Sequence, residues 1–439
     1  MDRRTMLASG LAATGAAAAL ATPAGKAMAA TPKGFPKGFR WGTASAAHQV
    51  EGNNTLSDLW LVEQVKPTMF MEPSGDANNS FELWPRDLDL VKQMGLDTYR
   101  FSIEWARIEP RPGVFSIAML DHYARMIEGC HQRGLTPMVT FNHFTLPRWF
   151  AAQGGWTQKD AADLFARYCD KAAGRLAGGM GYATTLNEPN MIHLVDKGLP
   201  PQMAGMVKAM NQAAGAACGA SNFKNGMLPE HDDIPLLETN MLAAHKAGRS
   251  AIKAARGDLP VGVSLTMSDD QAVGENSQRD AIRKQFYGAW LELAKQDDFI
   301  GVQNYARAIW NAQGQVQPPA DTPRNQMGTE IYPASLAGAV RYAHEATGRP
   351  VMVTEHGIGI EDDAVRAKFI PEALAGLQQA IAEGVPVLGY VHWTLADNFE
   401  WVFGFKHKYG LCSVDRATFA RTPKPSAAVL GAIARRNAV

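Results

Sequence analysis

Eight times between residues 39 and 395 the sequence repeats one theme: a short run rich in Val, Ile, Phe, Thr or Tyr, then a longer stretch with Ala, Leu, Lys and Arg at helical spacing. The runs are FRWGTASAA at 39–47, TYRFSIEW at 98–105, TPMVTFNHF at 136–144 and ATTLNEP at 183–189. Four more follow: PVGVSLTM at 260–267, FIGVQNYAR at 299–307, VMVTEHGI at 351–358 and VLGYVHWTL at 387–395. Strands alternating with helices predict the α/β class, and eight of them predict a (β/α)8 TIM barrel. Helical connectors stand where that fold needs them. DLDLVKQMG precedes the second strand, LDHYARMIEGCHQRG the third and ALAGLQQAIAEGV the eighth, the last two ending near a glycine. No Pro/Ser/Gly linker divides the chain, so residues 30–439 are expected to form one barrel domain. The stretch from about 197 to 236, rich in Gly, Ala, Met and Pro, is expected to be a long, partly helical loop on the functional rim.

Charge narrows the partners. With 43 basic and 43 acidic side chains there is no basic stripe for nucleic acid and no polybasic membrane surface. The first 29 residues differ from the rest: adjacent Arg3 and Arg4, a run of Ala and Leu, then AMAA as a cleavage site. They read as a twin-arginine signal peptide, with a mature protein that is periplasmic or secreted and not stably membrane-associated, since Pro23 and Lys26 interrupt the apolar run. Cys130, Cys169, Cys218 and Cys412 form no CxxC and no short-spaced framework, which predicts free, mostly buried thiols.

Barrels of this class place their chemistry at the carboxyl-terminal ends of the strands, so polar residues at those ends should converge. Gln49 follows the first strand, Arg100 lies in the second and His143 ends the third. Asn187 and Glu188 end the fourth, Tyr305 lies in the sixth, Glu355 ends the seventh, and Trp393 lies in the eighth with Glu400 and Trp401 soon after. A rim of carboxylates, amides and aromatics suits a sugar ring. Hydrolysis of an acetal needs a proton donor for the leaving oxygen and a group that meets the oxocarbenium charge, and Glu188 and Glu355 can face each other across the barrel mouth. Pro189 cannot continue a strand ladder, and it is expected to restrict Glu188 to an extended backbone.

Five segments in order, GFRWGTASAAHQVEG, YRFSIEWARIEP, TLNEP, VTEHG and DNFEWVFGFKHKYGLCSVD, resemble the signatures of glycoside hydrolase family 1, the retaining β-glucosidase and β-galactosidase family. The resemblance covers about residues 35 to 425. It implies an exo-acting β-glycosidase, a β-glucosidase first of all, that takes small β-glycosides or oligosaccharides and needs no metal or other cofactor. By the same resemblance Glu188 is the acid/base and Glu355 the nucleophile. Asn187 holds the sugar 2-hydroxyl, and Tyr305 and Arg100 bind the nucleophile. Gln49, His143, Glu400 and Trp401 grip the other hydroxyls, and Trp393 forms the floor. Arg100 should lower the pKa of Glu355, whereas the acid needs one nearer neutral.

The sequence departs from the family pattern at Phe144, Thr145, Gln303, His356 and Thr329, the last standing where a Trp commonly stacks on the leaving group. These departures bear on specificity more than on chemistry. Two other readings stand beside the hydrolase: a transglycosylase that gives the glycosyl group to an acceptor hydroxyl, and a noncatalytic sugar-binding barrel, against which the two glutamates and their supporting residues argue. Neither the glycone, the linkage nor the oligomeric state follows from the sequence.

Overall fold

In the computed structural model, which describes residues 34–198 and 201–439, each of the eight runs contributes one strand to a closed parallel barrel. The strands are β1 Arg40–Ala44, β2 Thr98–Ser102, β3 Thr136–Asn142, β4 Tyr182–Asn187, β5 Val261–Thr266, β6 Phe299–Asn304, β7 Val351–His356 and β8 Val387–His392. Each pairs with its neighbours in sequence, and β8 closes the ring on β1. The expected (β/α)8 barrel is the observed fold. The expected signal peptide, residues 1–29, lies outside the described residues.

The helices Ser80–Gln93, Ile117–Gln132 and Asp363–Ala382 precede β2, β3 and β8 as expected. Gly134 and Gly384, just past the last two, have φ of 70° and 102°, a left-handed turn into the next strand that costs glycine little. The two layers have different chemistry. Outward-facing Val and Leu of the strands join the helices in one apolar core, in which the helices Ala161–Leu176 and Ile234–Ala255 run side by side. Gly248 permits that approach, because a Cβ there would lie 2.7 Å from the Phe165 ring. Inside the barrel the strands present buried Thr98, Arg100, Thr140, Thr184 and Ser264. The Thr140 and Thr184 hydroxyls pair at 2.8 Å, whereas the buried Ser264 hydroxyl has no protein partner, and Met138, Phe299 and Met352 add an apolar cluster.

The 197–236 stretch contains the helix Pro201–Cys218 and a loop turned around Asn225, whose side-chain oxygen accepts from the backbone N–H groups of Met227 and Leu228. Its Val207, Met210, Phe223 and Leu228 pack with Leu59, Val62, Phe70, Phe399 and Trp401, which ties the segment to the rim. One feature was not anticipated: the loops after β5 and β6 form a small sheet of Asp269–Ala272, Arg307–Asn311 and Gly314–Val316. The four cysteines are free, three buried and Cys218 exposed. Among the described residues no helix is long and apolar enough to cross a membrane.

Candidate active site

Both glutamates stand where the strand ladder is irregular. The pairing of β4 with β5 shifts register between Thr184 and Asn187, and that of β7 with β6 shifts between Val353 and Glu355. Such irregularities turn a strand end and re-aim its side chains. Beyond the β4 shift, Glu188 has φ 44°, in the left-handed region and not the extended backbone that Pro189 led us to expect. The tertiary structure overrides the local preference. The Glu188 N–H donates to the Ser264 carbonyl at 2.8 Å, and the Asn190 side chain bonds both ways with the Thr266 backbone, so the turn is held against β5. Phe144 and Trp401, at φ 68° and 51°, share this uncommon conformation. Three such residues on one rim mark a place where the fold holds backbone strain for the sake of side-chain aim.

Glu355 is firmly held. Its two oxygens accept from Arg100 Nη1 at 2.5 Å and from the Tyr305 hydroxyl at 2.6 Å. Arg100 also donates through Nη2 to Asn187 Oδ1 at 2.6 Å, so one fully buried guanidinium ties the nucleophile candidate to the amide beside the other glutamate. Among the described residues Glu188 has no cation in hydrogen-bond contact. Thr266 hydrogen-bonds it, and its Oε1 is buried without a protein partner. Burial and then the charge of Glu355 push Glu188 well above the usual carboxylate range. Burial also raises Glu355, against the pull of Arg100, Tyr305 and Gln303, so the expectation of a lowered Glu355 is corrected: Arg100 opposes desolvation but does not overcome it. The surroundings of the pair still differ: Glu355 has a cation and a tyrosine hydroxyl on its oxygens, and Glu188 has neither.

The other expected residues gather around these two. Gln49, in the short helix Ala47–Val50, donates to the Phe399 carbonyl at 2.8 Å and reaches Glu400 Oε2 at 3.4 Å, leaving its own Oε1 buried and free of protein partners. Burial first, then the nearby charge of Glu355, lifts Glu400 to about 8. His143 lies just past β3 and stacks between Trp393 and Trp401, at centroid distances of 5.8 and 5.9 Å. Burial and Arg100 hold its pKa well below the ordinary value, so it is neutral. Trp393 follows β8 and Tyr305 follows β6 by one residue, small shifts from their expected places within those strands. Gln49, Arg100, His143, Asn187, Glu188, Tyr305, Glu355, Trp393, Glu400 and Trp401 thus form one connected, mostly buried site. Among the described residues no group of three His, Cys, Asp or Glu side chains is placed to hold a metal ion.

Some participants escaped the sequence reading. Thr266, at the end of β5, would have been found by applying the strand-end rule to that strand as well. His48 stacks on Trp401 at 5.9 Å with ring planes 3° apart, and Glu63 anchors it at 2.8 Å. No periodicity marks a side chain that acts behind another.

A (β/α)8 barrel with two buried carboxylates in unlike surroundings, walled by tryptophans and amides, is the architecture of a glycoside hydrolase. The matches agree. Residues 31–222 and 241–439 match the family model described as glycosyl hydrolase family 1, and the chain belongs to that family. It is 30% identical to a β-glucosidase of Agrobacterium sp., over 91% of this chain and 95% of that one. Among solved structures it is similar to the apo form of β-glucosidase 1317, with TM-score 0.87, 39% identity and coverage of 90% of this chain and 98% of that one. It is similar to β-glycosidase BGL167 with TM-score 0.87, 43% identity and coverage of 92% and 98%. The chain is a β-glucosidase-like glycoside hydrolase.

Proposed function

We propose that the enzyme is an exported, retaining exo-β-glucosidase that works through a covalent glycosyl-enzyme. The observation that carries this reading is the unequal treatment of the two glutamates. Glu355 has Arg100 and Tyr305 on its oxygens, which favours an ionised nucleophile, while Glu188 has burial and a neighbouring negative charge, which favours a proton at neutral pH. Glu355 attacks the anomeric carbon as the bond from that carbon to the leaving oxygen breaks, and Glu188 gives its proton to that oxygen. Glu188, now ionised, takes a proton from water, whose oxygen attacks the same carbon and releases Glu355. Asn187 donates to the 2-hydroxyl, Gln49, His143, Glu400 and Trp401 serve the other hydroxyls, and Trp393 forms the floor under the ring.

The twin-arginine pattern of residues 1–29 supports delivery to the periplasm or beyond. The test of the chemistry is NMR of the sugar released from nitrophenyl β-glucoside. β-Glucose must appear first and then mutarotate, and α-glucose as the first product would rule out retention.

Leaving-group preference is a separate matter. Thr329 is exposed on a turn in the loop after β6, where its N–H donates to Asn325 Oδ1 and its carbonyl accepts from the Asn325 N–H. A threonine there offers no stacking face, so aryl leaving groups should gain little over alkyl ones beyond their intrinsic reactivity. Thr329→Trp should shift kcat/KM toward aryl β-glucosides of matched leaving-group pKa by about 0.5 to 1.5 kcal/mol, the worth of one aromatic contact. An unshifted preference would show that residue 329 does not face the leaving group.

A further inference from the structure

We propose that Gln303 is a positioning residue that, with Arg100, locks the amide of Asn187 and thereby sets which ring nitrogen of His143 carries its proton. The inference rests on the proposed function, in which Asn187 and His143 donate to sugar hydroxyls. Gln303 lies near the end of β6 and pairs across the sheet with Thr266 on one side and Glu355 on the other. Its Nε2 donates to Asn187 Oδ1 at 2.7 Å, and its side chain also hydrogen-bonds Glu355. Arg100 Nη2 donates to the same Asn187 oxygen at 2.6 Å. Both lone pairs of that oxygen are therefore engaged.

An amide held in this way by its oxygen cannot turn over without setting its NH2 group against two donors. Its nitrogen is consequently directed to His143 Nε2 at 3.1 Å. An amide nitrogen only donates, so His143 Nε2 must accept, and in a neutral imidazole the proton then sits on Nδ1. That Nδ1 is buried and has no protein partner, which leaves an N–H available to a sugar hydroxyl. The second hydrogen of the Asn187 NH2 group is available in the same way. Two substrate-facing donors thus depend on one glutamine that touches neither the reacting carbon nor the leaving group.

The test uses Gln303→Met, which keeps the side-chain length and removes the hydrogen bonds, beside the milder Gln303→Asn in case the first does not fold. Each is assayed on nitrophenyl β-glucoside and on its 2-deoxy analogue. In Gln303→Met the ratio of kcat/KM for the two substrates should fall about tenfold, because only the 2-hydroxyl loses the oriented Asn187 donor, while any loss through His143 or Glu355 falls on both substrates alike. Gln303→Asn should show a smaller fall in the same direction. A merely structural role would lower both substrates in proportion, and an unchanged ratio in soluble, folded variants overturns the inference while leaving the proposed function standing. A wild-type enzyme that turns over neither substrate overturns both.

Discussion

Glu355→Ala will hydrolyse no β-glucoside at a measurable rate, a loss on the order of 10⁴-fold or more, because no other group in the site can attack the anomeric carbon. Glu188→Ala will behave differently on substrates of different leaving-group pKa. It should retain formation of the glycosyl-enzyme from activated aryl glucosides, which need no proton, and stall at the hydrolysis step, which needs a base. Azide needs no base, so it should accelerate Glu188→Ala on those substrates and yield a β-glycosyl azide. Any azide product from Glu355→Ala would be the α-glycosyl azide, since the anion would then occupy the nucleophile's own position. Identical azide configurations from the two variants, or no azide response in Glu188→Ala, would contradict the assignment of roles. The prediction follows from geometry: Arg100 and Tyr305 occupy the oxygens of Glu355 but leave Glu188 Oε1 without a protein partner.

The barrel was legible in the sequence because burial enforces a simple code. A strand covered by helices on its outer face must be an apolar, β-branched run, and each of the eight runs contained a strand of the closed sheet. Polar residues at the ends of those runs were legible for the same reason, since a carboxylate such as Glu188 has no place in the apolar layer. The exact aim of the side chains was not legible. Pro189 predicted an extended Glu188, yet the backbone is left-handed there, because Ser264 and Thr266 on the neighbouring strand capture the turn. The sign of the Glu355 shift was missed for a related reason. Arg100 was visible as a charge in sequence, but desolvation is a property of everything packed around the carboxylate. His48 was the least visible, because it works through Trp401, far away in the chain, and Gln303 was visible as a departure from the family pattern but not as the partner of Asn187.

Arg100→Met should cost activity on the order of 10³-fold at neutral pH, and its acidic limb should report the cause. In the wild type, burial raises the pKa of Glu355 and Arg100 is the foremost influence that pulls it down. Without the guanidinium, only the Tyr305 and Gln303 hydrogen bonds oppose desolvation, and the pKa should climb further. The nucleophile must be ionised, so the acidic limb of kcat/KM should move up by the same amount and narrow the pH range in which Glu355 is charged and Glu188 protonated. Stability carries the same sign. A carboxyl whose folded pKa lies above its unfolded value loses stability as pH rises past the unfolded value, because unfolding lets it ionise. The difference in Tm between wild type and Arg100→Met should therefore widen from pH 5 to pH 8, toward the roughly 3–5 kcal/mol that an unpartnered buried charge costs. Substituting Glu355→Gln in the same chain removes the titrating group, and the pH dependence of that difference should then vanish. If the acidic limb of Arg100→Met stays in place and its Tm deficit is flat across this range, Arg100 does not hold the charge of Glu355, and its 2.5 Å contact with the carboxylate is structural alone.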